Sequence, residues 1–439
     1  MSLSQKVAFN TLTQMGGKIA ASFFTFLTTM LLVAYLWHIV YGGYTYVISL
    51  LVLFGALGDW GTNIISVREA VRLKEKQGQA FANIFFLKIA MAIPAMVLLV
   101  IFALFAPFQT NQPVVFRQAV VIASFFLILT ALRAASRVVF QVKLQFQKAA
   151  IADVFTSVLM FIASWWVIQT GYGLIALIGV YLLAVGVGAA MMVWFVLGMV
   201  KFAFRFDQVF IVKLLKESLP MGAILLMFTM DNRIDTVMLG AFQGSGDVGI
   251  YGLASRVYDV LILGAAFLMN ALLPILSDYR DLKQSKIRLQ KIYQKTFDVL
   301  VLLAIGVGIL LWLLAPLIVQ ILAGERFGEF QDAVRVLRWL SPALFLTYFN
   351  HLTGYTIVAL GKQRSYFFIA LSSLIFNFLA NAVLISRFSY FGAVWVTILT
   401  EGLVLMATTV FVHKLLGFFP SLFSFPRTAL ELIKQKGRL

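Results

Sequence analysis

The chain has 439 residues, of which 62% are hydrophobic and only 12% are charged, and its formal net charge is +17. A soluble domain is about 45–50% apolar and about 25% charged, so a lipid bilayer must cover apolar surface that no water-soluble fold could bury. The absence of cysteine excludes disulfides and thiolate chemistry, and three widely separated histidines argue against a histidine metal cluster.

Apolar runs of about 20 residues, the length that crosses a bilayer as one helix, recur along the whole chain. They predict an all-α integral membrane protein with twelve transmembrane helices. The first run ends at Tyr35 without a small-residue cleavage motif, so we interpret it as the first span rather than as a cleavable signal. The predicted spans are residues 11–36, 43–66, 80–106, 114–136, 149–169, 174–200, 218–241, 248–276, 296–322, 333–359, 366–387 and 391–413.

Positive charge is distributed unevenly between the loops. One set of alternate loops holds 25 lysine and arginine residues, and the other set holds two, Arg326 and Arg387. Because basic residues concentrate in cytoplasmic loops, this asymmetry predicts a multi-pass protein of the inner (cytoplasmic) membrane with both termini in the cytoplasm. The same rule explains the high net charge without nucleic acid, since no basic stripe with interleaved aromatic residues lies on a soluble surface.

The predicted outer loops are short, and this bears on function. Membrane-embedded enzymes of polysaccharide synthesis usually carry large external loops with acidic catalytic residues, so an enzyme is the less favoured alternative. The chain contains no phosphate-binding loop sequence, which excludes ATP as the direct energy source. We therefore expect a transporter that is not an enzyme and has no cofactor, with Na⁺ or H⁺ as the candidate coupling ion.

The two halves of the chain share three pairs of similar positions in the same order, separated by 207 to 219 residues. This near-constant offset predicts a parallel internal repeat of two six-helix lobes, residues 1–205 and 206–417. Residues 418–439 are expected to form an amphipathic cytoplasmic tail, and residues 202–217 a similar helix that joins the halves along the membrane face. The three pairs are Gly42–Tyr44 with Gly249–Tyr251, Lys148 with Lys362, and Tyr172–Gly173 with Phe391–Gly392.

Several short segments near the ends of the spans carry a family resemblance. They are Leu57–Gly61, Arg68–Glu69 and Arg72, Asp235–Gly240, Val248–Tyr251, Ala254–Arg256, Ala271–Pro274, Asn377 with Asn381, and Phe391–Ala393. Together they resemble Wzx-type flippases for polysaccharide and lipid-linked oligosaccharide, which belong to the multidrug/oligosaccharidyl-lipid/polysaccharide (MOP) exporter superfamily. The resemblance covers nearly the whole chain.

This resemblance implies two V-shaped six-helix lobes, as in multidrug and toxin extrusion (MATE) transporters. It implies a monomer that flips polyprenyl-diphosphate-linked oligosaccharide between leaflets of membrane lipids by alternating access, with polysaccharide polymerase machinery as a partner. The peptidoglycan-precursor flippases of the superfamily usually have fourteen spans and an arginine in span two. This chain has twelve predicted spans and no cation in span two, which points away from that branch. A multidrug or toxin cation antiporter is the alternative transporter.

Two cations inside predicted spans, Lys18 and Arg256, are candidate ligands of the substrate diphosphate. An ionised residue inside a span costs about 2.5–3.5 kcal/mol on insertion scales, so it marks a functional position. Both residues match cavity-lining cations of related flippases, and arginine can grip two phosphate oxygens at once. The alternatives are a pair between Arg256 and Asp259 within one helix, and a Lys18 side chain that reaches the interface.

Three further cations, Lys88, Arg133 and Arg233, are candidate residues of the substrate pathway. Lys88 and Arg133 lie nearer the predicted inner face of the membrane. Long basic side chains in such positions extend their charged ends to interfacial water. We therefore expect Lys88 and Arg133 to be directed toward that interface.

Span seven carries two candidate coupling acids, Asp231 and Asp235, which lie four residues apart and therefore share one helix face. Asp235 is predicted roughly 9 Å below the outer surface, at a rise of 1.5 Å per residue. Asn381 and Thr397 are predicted at the same depth on two other spans, and Asn377 lies one turn deeper. The equal depth predicts that these side chains converge in the C-terminal lobe.

Carboxylate, amide and hydroxyl oxygens at one depth favour a hard cation such as Na⁺. The predicted metal ligands are Asp235, Asn377, Asn381 and Thr397. Some related flippases bind a cation between the same three helices, but here Asn381 stands where a second carboxylate can occur. Two alternatives stay open: Asp235 carries a proton, or Asp235 pairs with Arg233.

Asp59 and Glu401 are interpreted as structural acids. Asp59 stands between Gly58 and Gly61, where it is expected to cap a kink. Glu401 is expected to pair with an arginine from a neighbouring span.

Overall fold

A computed structural model describes residues 3–73, 76–106, 112–278, 282–421 and 424–426. Over these residues the chain is almost entirely helical and forms no strand. Lipid offers no hydrogen bonds to the backbone, and a helix satisfies its N–H and C=O groups within one segment. The predicted all-α class is therefore confirmed.

The described residues form thirteen α-helices and one 3₁₀ helix in chain order. They are α1 (Leu3–Tyr35), α2 (His38–Asp59), α3 (Thr62–Arg72), α4 (Gln77–Phe105), α5 (Pro113–Ser124), α6 (Phe126–Val142), α7 (Phe146–Gln169), α8 (Leu174–Leu197), α9 (Gln208–Phe242), α10 (Ser245–Asp278), α11 (Leu282–Ala323), the 3₁₀ helix Gly324–Phe330, α12 (Gln331–Ala359) and α13 (Gln363–Leu416).

Each predicted span coincides with one or two of these helices. Span two is divided between α2 and α3, span four between α5 and α6, and α13 contains spans eleven and twelve with a non-helical Ser389 between them. Nine segments of the described chain are long and apolar enough to cross a membrane, and two of these, 286–359 and 363–416, each contain two predicted spans. Span seven, in α9, is not among the nine, since it places three charged residues within five positions.

The described chain divides by internal contacts into two compact units, residues 1–249 with 322–326, and residues 250–321 with 327–439. In the first unit α1 packs along α7, and α2 lies against α4, α6 and α9. In the second unit α12 packs along α13, and the Tyr348 hydroxyl donates to the Leu261 carbonyl of α10 at 2.9 Å. The lobes 1–205 and 206–417, which were drawn from the sequence repeat, stay a prediction.

The connection between α8 and α9 differs from the amphipathic helix predicted over residues 202–217. Residues 202–207 are not helical, and α9 begins at residue 208 and continues without interruption through span seven. The Asp207 side chain fixes this start, because its carboxylate accepts a hydrogen bond from the Phe210 amide at 2.9 Å. Asn83 of α4 holds the preceding segment by donating to the Arg205 carbonyl at 2.8 Å. The predicted tail, residues 418–439, lies mostly outside the described residues.

Glycines allow the first turns of α2 and α10 to touch through their backbones in the first unit. A Cβ atom added to Gly42 would collide with the Ser245 carbonyl oxygen, and one added to Gly249 would collide with the His38 carbonyl oxygen. Helices in lipid associate by close van der Waals packing, because lipid tails are as apolar as their side chains. The two members of one of the three sequence pairs that predicted the repeat, Gly42 and Gly249, thus meet in space.

Replacing Gly42 with alanine should lower the stability of the first unit. The added methyl group meets rigid backbone, and overpacking of this kind costs typically about 1–3 kcal/mol. Gly179→Ala in α8 is the matched control, since nothing lies within 4 Å of its Cβ position and alanine is the better helix former. Thermal unfolding in detergent should show a lower midpoint for Gly42→Ala and an unchanged or higher midpoint for Gly179→Ala. Equal midpoints for the two variants would contradict the contact.

Candidate functional site

Helix α2 ends at a carboxylate that is bound by a lysine of α4. After Asp59 the backbone turns through Trp60 and Gly61, whose φ angles of 47° and 67° lie in the left-handed region. Helix α3 restarts at Thr62, whose hydroxyl donates to the Asp59 carbonyl at 2.8 Å. The break leaves the Asp59 carboxylate beside α4, where the Lys88 ammonium donates to its Oδ1.

The Lys88 side chain is only 1% exposed, whereas that of Asp59 is 25% exposed. Asn63 donates to the second carboxylate oxygen of Asp59 at 3.1 Å. The expectation that Lys88 extends to the interface is therefore wrong, because its ammonium finds an anionic partner inside the bundle. As expected, Asp59 forms hydrogen bonds with the residues that follow the kink, Thr62 and Asn63. It also neutralises a buried cation, which its sequence position did not indicate.

A cavity of about 220 Å³ adjoins this ion pair within the first unit. Small residues on three helices leave this space open. Its polar lining comes from the ion pair and one hydroxyl, so an ionic end faces an otherwise apolar chamber. The lining residues are Leu51, Val52, Gly55, Gly58 and Asp59 of α2, Lys88 and Ala92 of α4, and Phe126, Leu127, Thr130, Ala131 and Ala134 of α6.

Arg133 is also paired inside the bundle and is not directed to the interface as expected. Its guanidinium donates to the Asp153 carboxylate of α7 at 2.6 Å and to the Thr156 hydroxyl at 3.0 Å. Arg137 binds the same carboxylate with two hydrogen bonds of 2.8 and 2.9 Å. Gly188 of α8 leaves room for the Arg133 side chain, because a Cβ there would overlap the guanidinium.

Glu69 of α3 binds three cations at one end of the first unit. Its side chain is 4% exposed, whereas those of its partners are largely in solvent. Arg68 and Arg72 each donate to its Oε1 at 3.1 Å, and Lys213 of α9 donates to its Oε2 at 2.5 Å. Arg68 makes a second ion pair with Glu217 of α9. Ion pairs therefore connect α3, at the end of span two, to the part of α9 that precedes span seven.

The predicted coupling acids lie on α9 in the first unit. Asp235 is buried, and Asp231 and Arg233 are half-buried. A buried carboxylate in a span is a functional position by default, because lipid gives its charge no hydration.

The predicted neutral ligands lie on α13 in the second unit. Asn377 and Asn381 are both buried and touch directly, since Asn381 donates to the Asn377 side-chain oxygen at 2.7 Å. The Thr397 hydroxyl donates to the Ala393 carbonyl at 2.9 Å. Among the described residues no three His, Asp or Glu side chains form a metal-binding group. The convergence of this pair and Thr397 with Asp235 stays a prediction.

The two predicted diphosphate ligands lie on different helices. Lys18 is exposed on α1 in the first unit, and Arg256 is half-buried on α10 in the second unit. Their predicted role in binding the substrate stays a prediction.

Glu401 of α13 has a polar neighbourhood that differs from the expected arginine partner. Asn350 of α12 donates to its carboxylate at 2.6 Å and to its backbone carbonyl at 2.9 Å. The Thr347 hydroxyl of α12 donates to the Ala343 carbonyl at 2.9 Å and lies 2.7 Å from the Tyr258 hydroxyl. A neutral amide of α12 therefore binds this acid, and the pairing with arginine is wrong.

Sequence reasoning missed the partners of the membrane-embedded charges. The carboxylates of Asp59 and Asp153 bind Lys88 and Arg133 over 29 and 20 residues of sequence. No spacing rule links residues so far apart on different helices. The one signal in the sequence was the presence of opposite charges in neighbouring spans.

Nine long apolar segments, with ion pairs between their helices, define a polytopic membrane protein over the described residues. The sequence matches the family described as polysaccharide biosynthesis protein over residues 39–332. The chain belongs to this family.

Relatives of known structure have the same fold. The chain aligns with a structure titled lipid II flippase MurJ, inward closed conformation, at a TM-score of 0.76 and 14% identity, over 97% of this chain and 96% of that one. It aligns with an inward-facing MATE family multidrug resistance transporter of the MOP superfamily at a TM-score of 0.69 and 14% identity, over 95% of each chain. These solved structures share the fold of the chain, and the family match agrees with the polysaccharide-flippase resemblance that the sequence motifs carry.

Two archaeal proteins are also similar. An uncharacterized membrane protein of Methanocaldococcus jannaschii is 24% identical over 189 residues, which is 43% of each chain. A MOP superfamily transporter from Pyrococcus furiosus aligns at a TM-score of 0.63 and 14% identity, over 94% of this chain and 96% of that one. The match to the first relative therefore spans less than half of its length.

Removal of the Glu69 carboxylate should destabilise the first unit more than removal of Glu217. Glu69→Gln loses three bonds to cations and brings like charges together, and hydrogen bonds to charged groups contribute about 1.5–3 kcal/mol each before exposure weakens them. Glu217→Gln breaks one exposed pair, worth about 0–1 kcal/mol. Thermal unfolding in low salt should rank the variants in this order. A midpoint for Glu69→Gln equal to that of Glu217→Gln would show that the cluster contributes nothing.

Proposed function

We propose that the protein is a flippase that moves polyprenyl-diphosphate-linked oligosaccharide from the cytoplasmic to the outer leaflet. The observation that carries the proposal is a polysaccharide-biosynthesis family match over residues 39–332 in a chain with a transporter fold. Polysaccharide synthesis that begins on a lipid carrier in the cytoplasm needs a step that carries the lipid-linked sugar across the membrane. A transporter in this family supplies that step without being an enzyme.

The charge of such a substrate supports a cationic binding site. A diphosphate that enters a low-dielectric bundle needs positive partners, since burial of an unpaired anion is very costly. Lys88 and Arg133 are already paired with carboxylates, so either one could bind phosphate only by giving up its ion pair. We therefore assign the primary diphosphate contacts to Lys18 and Arg256, with Arg233 on the pathway.

Similarity to multidrug transporters supports a second candidate, a multidrug or toxin cation antiporter. A binding site for cationic drugs needs carboxylates that are free to face the ligand. Asp59 and Asp153 are bound to basic residues instead. This arrangement, together with the family match, favours the anionic substrate.

The proposed membrane placement follows from the loop charges. We place the protein in the inner membrane with both termini in the cytoplasm, as a monomer that supplies substrate to polysaccharide polymerase machinery. This orientation puts most lysine and arginine residues on the cytoplasmic side, in accord with the positive-inside rule.

Transport in one direction requires an energy source, and we propose Na⁺ or H⁺ bound at Asp235. For Na⁺, the other ligands are Asn377, Asn381 and Thr397, with Asp231 nearby on the same helix. An ion that binds one conformation more tightly than the other shifts the equilibrium between inward- and outward-facing states. With a single carboxylate in the set, the affinity for a cation should be modest.

Arg256→Ala should abolish export of lipid-linked oligosaccharide. A charge-assisted bond to phosphate contributes about 1.5–3 kcal/mol, which corresponds to a loss of tenfold or more in substrate affinity. Complementation of a flippase-null strain measures the loss, with expression and monodispersity checked in parallel. Arg335→Ala is the control, because Arg335 is 71% exposed and pairs only loosely with Asp332. Normal export by Arg256→Ala would contradict the assigned role.

Asp235→Asn should remove ion coupling, because it removes the only carboxylate of the proposed ligand set. Reconstituted protein is tested in liposomes with a sodium gradient at fixed pH, and separately with a pH gradient. Sodium-driven transport supports the cation site, whereas transport that follows only pH supports Asp235 as a proton carrier. Asp332→Asn serves as the surface control, since its side chain is 42% exposed. Unaltered ion dependence in Asp235→Asn would refute both forms of coupling.

A further inference from the structure

The ion pair between Lys88 and Asp59 is isolated from every other charge of the described chain. Asp59 contacts only Lys88, Asn63 and Thr62 through polar bonds in that part of the chain, and Lys88 contacts only Asp59. Neither residue takes part in the larger clusters around Glu69 and Asp153. The protonation state of Asp59 therefore decides, almost alone, whether Lys88 carries an uncompensated charge.

The cavity next to Lys88 has room for a ligand. Its volume of about 220 Å³ equals the share of roughly seven water molecules in the liquid. Lys88 lines the cavity although its side chain is almost fully buried, so a ligand that enters can reach the ammonium. Apolar residues on α2 and α6 line the remainder. This combination fits an anionic group attached to a hydrocarbon chain.

Charge neutrality keeps such a ligand out while Asp59 is ionised. An anion next to the intact pair would meet the Asp59 carboxylate as well as the Lys88 ammonium. Displacing the carboxylate would leave it without its cation in a low-dielectric site, which is strongly unfavourable. A proton on Asp59 removes this obstacle, because the carboxylic acid is neutral and no longer requires the ammonium.

Other charged groups do not substitute for Lys88 as the partner of Asp59. Helix α2 packs against α1, α4, α5, α6, α8 and α9, and its first turn touches the first turn of α10. Arg133 and Arg137 are bound to Asp153, and Lys213 and Glu217 belong to the cluster at the far end of α3. The titratable or charged side chains described on these helices and in the first turn of α10 are Lys18, Tyr35, His38, Lys88, Arg117, Arg133, Arg137, Tyr181, Lys213, Lys216, Glu217, Asp231, Arg233, Asp235 and Asp247, together with the tyrosines of α2 itself.

We propose that Lys88 and Asp59 form a proton-gated binding site for a phosphate-bearing anion in this cavity. One proton adds to an Asp59 carboxylate oxygen, and the Lys88 ammonium exchanges its bond to that carboxylate for a bond to a phosphate oxygen. The proposal rests on the proposed function, in which the anion is the phosphate next to the lipid chain of the substrate. Entry of the substrate is then linked to the uptake of one proton.

Proton linkage sets the sign of the pH dependence. Only the form with a protonated Asp59 accepts the anion, so the affinity falls as pH rises. For a single linked proton the change is at most tenfold per pH unit.

The test uses arginine at position 88, because its guanidinium stays charged at every pH of the experiment. Binding of geranylgeranyl diphosphate to purified protein in detergent is measured by calorimetry from about pH 5.5 to about pH 8.5. Lys88→Arg should bind more tightly at low pH, as the unmodified protein does. Lys88→Arg/Asp59→Asn should bind tightly at all pH values. Lys88→Arg/Glu217→Gln is the matched control and should keep the pH dependence, since Glu217 lies in a separate surface pair.

A second variant covers the case in which arginine does not fit. Lys88→Met/Asp59→Asn removes both charges together and leaves no unpaired ion, so it should fold and should lose the pH-dependent part of binding. Retention of that part in a folded double variant would overturn the proposal. So would an unchanged pH slope in Lys88→Arg/Asp59→Asn.

The probes also distinguish the possible sources of the phosphate group. They further distinguish failure of the proposed site from failure of the proposed function. Inorganic diphosphate that binds with the same pH slope supports a site for the phosphate group alone. Competition by phosphatidylglycerol assigns the site to a phospholipid headgroup and overturns its assignment to the substrate. If the protein flips a prenyl diphosphate lipid and the Asp59→Asn substitution does not change the pH dependence of flipping, the site is refuted but the proposed function is retained. Proton-gated binding without any flipping refutes the proposed function but keeps the site.

Discussion

The free-energy cost of placing a charge in hydrocarbon determines the main polar contacts of this structure. An ionised side chain that leaves water must meet an opposite charge or a set of oriented dipoles within the protein. The described chain uses both solutions. Lys88 and Arg133 meet the carboxylates of Asp59 and Asp153, whereas Glu401 meets the amide of Asn350. Each of these contacts joins different helices, so the need to neutralise charge also determines which helices become neighbours.

Local departures from regular helix bring these partners together. The left-handed pair Trp60 and Gly61 ends α2 at the residue that binds Lys88, and it restarts the chain as α3. Gly188 leaves space that the Arg133 guanidinium fills. Helices gain no hydrophobic driving force from each other in lipid, so they associate through close packing and polar contacts. At these two places, a backbone break or a glycine makes room for a charged side chain.

These contacts also constrain how an anionic substrate could be handled. A transporter that kept several bare cations in its bundle would suffer a large desolvation penalty whenever the substrate was absent. Pairing each cation with a carboxylate avoids the penalty, but it also hides the cation from phosphate. A proton that neutralises the carboxylate can release the cation when it is needed. A conformational change then follows only if substrate or ion binds the two states with unequal affinity.

The sequence by itself determined the membrane class, the positions of the twelve spans and the unequal charge of their loops. These features depend on local composition, since a run of about 20 apolar residues spans a bilayer whatever its neighbours are. The tertiary structure decided which charged side chains form ion pairs with one another. Sequence rules placed Lys88 at the interface, and only the packing of α2 against α4 shows that it binds a carboxylate 29 residues away. Asn377 and Asn381 could be paired from sequence, because four residues make one helical turn. Asp59 with Lys88 could not, because ion pairs between helices depend on how the chain folds back on itself.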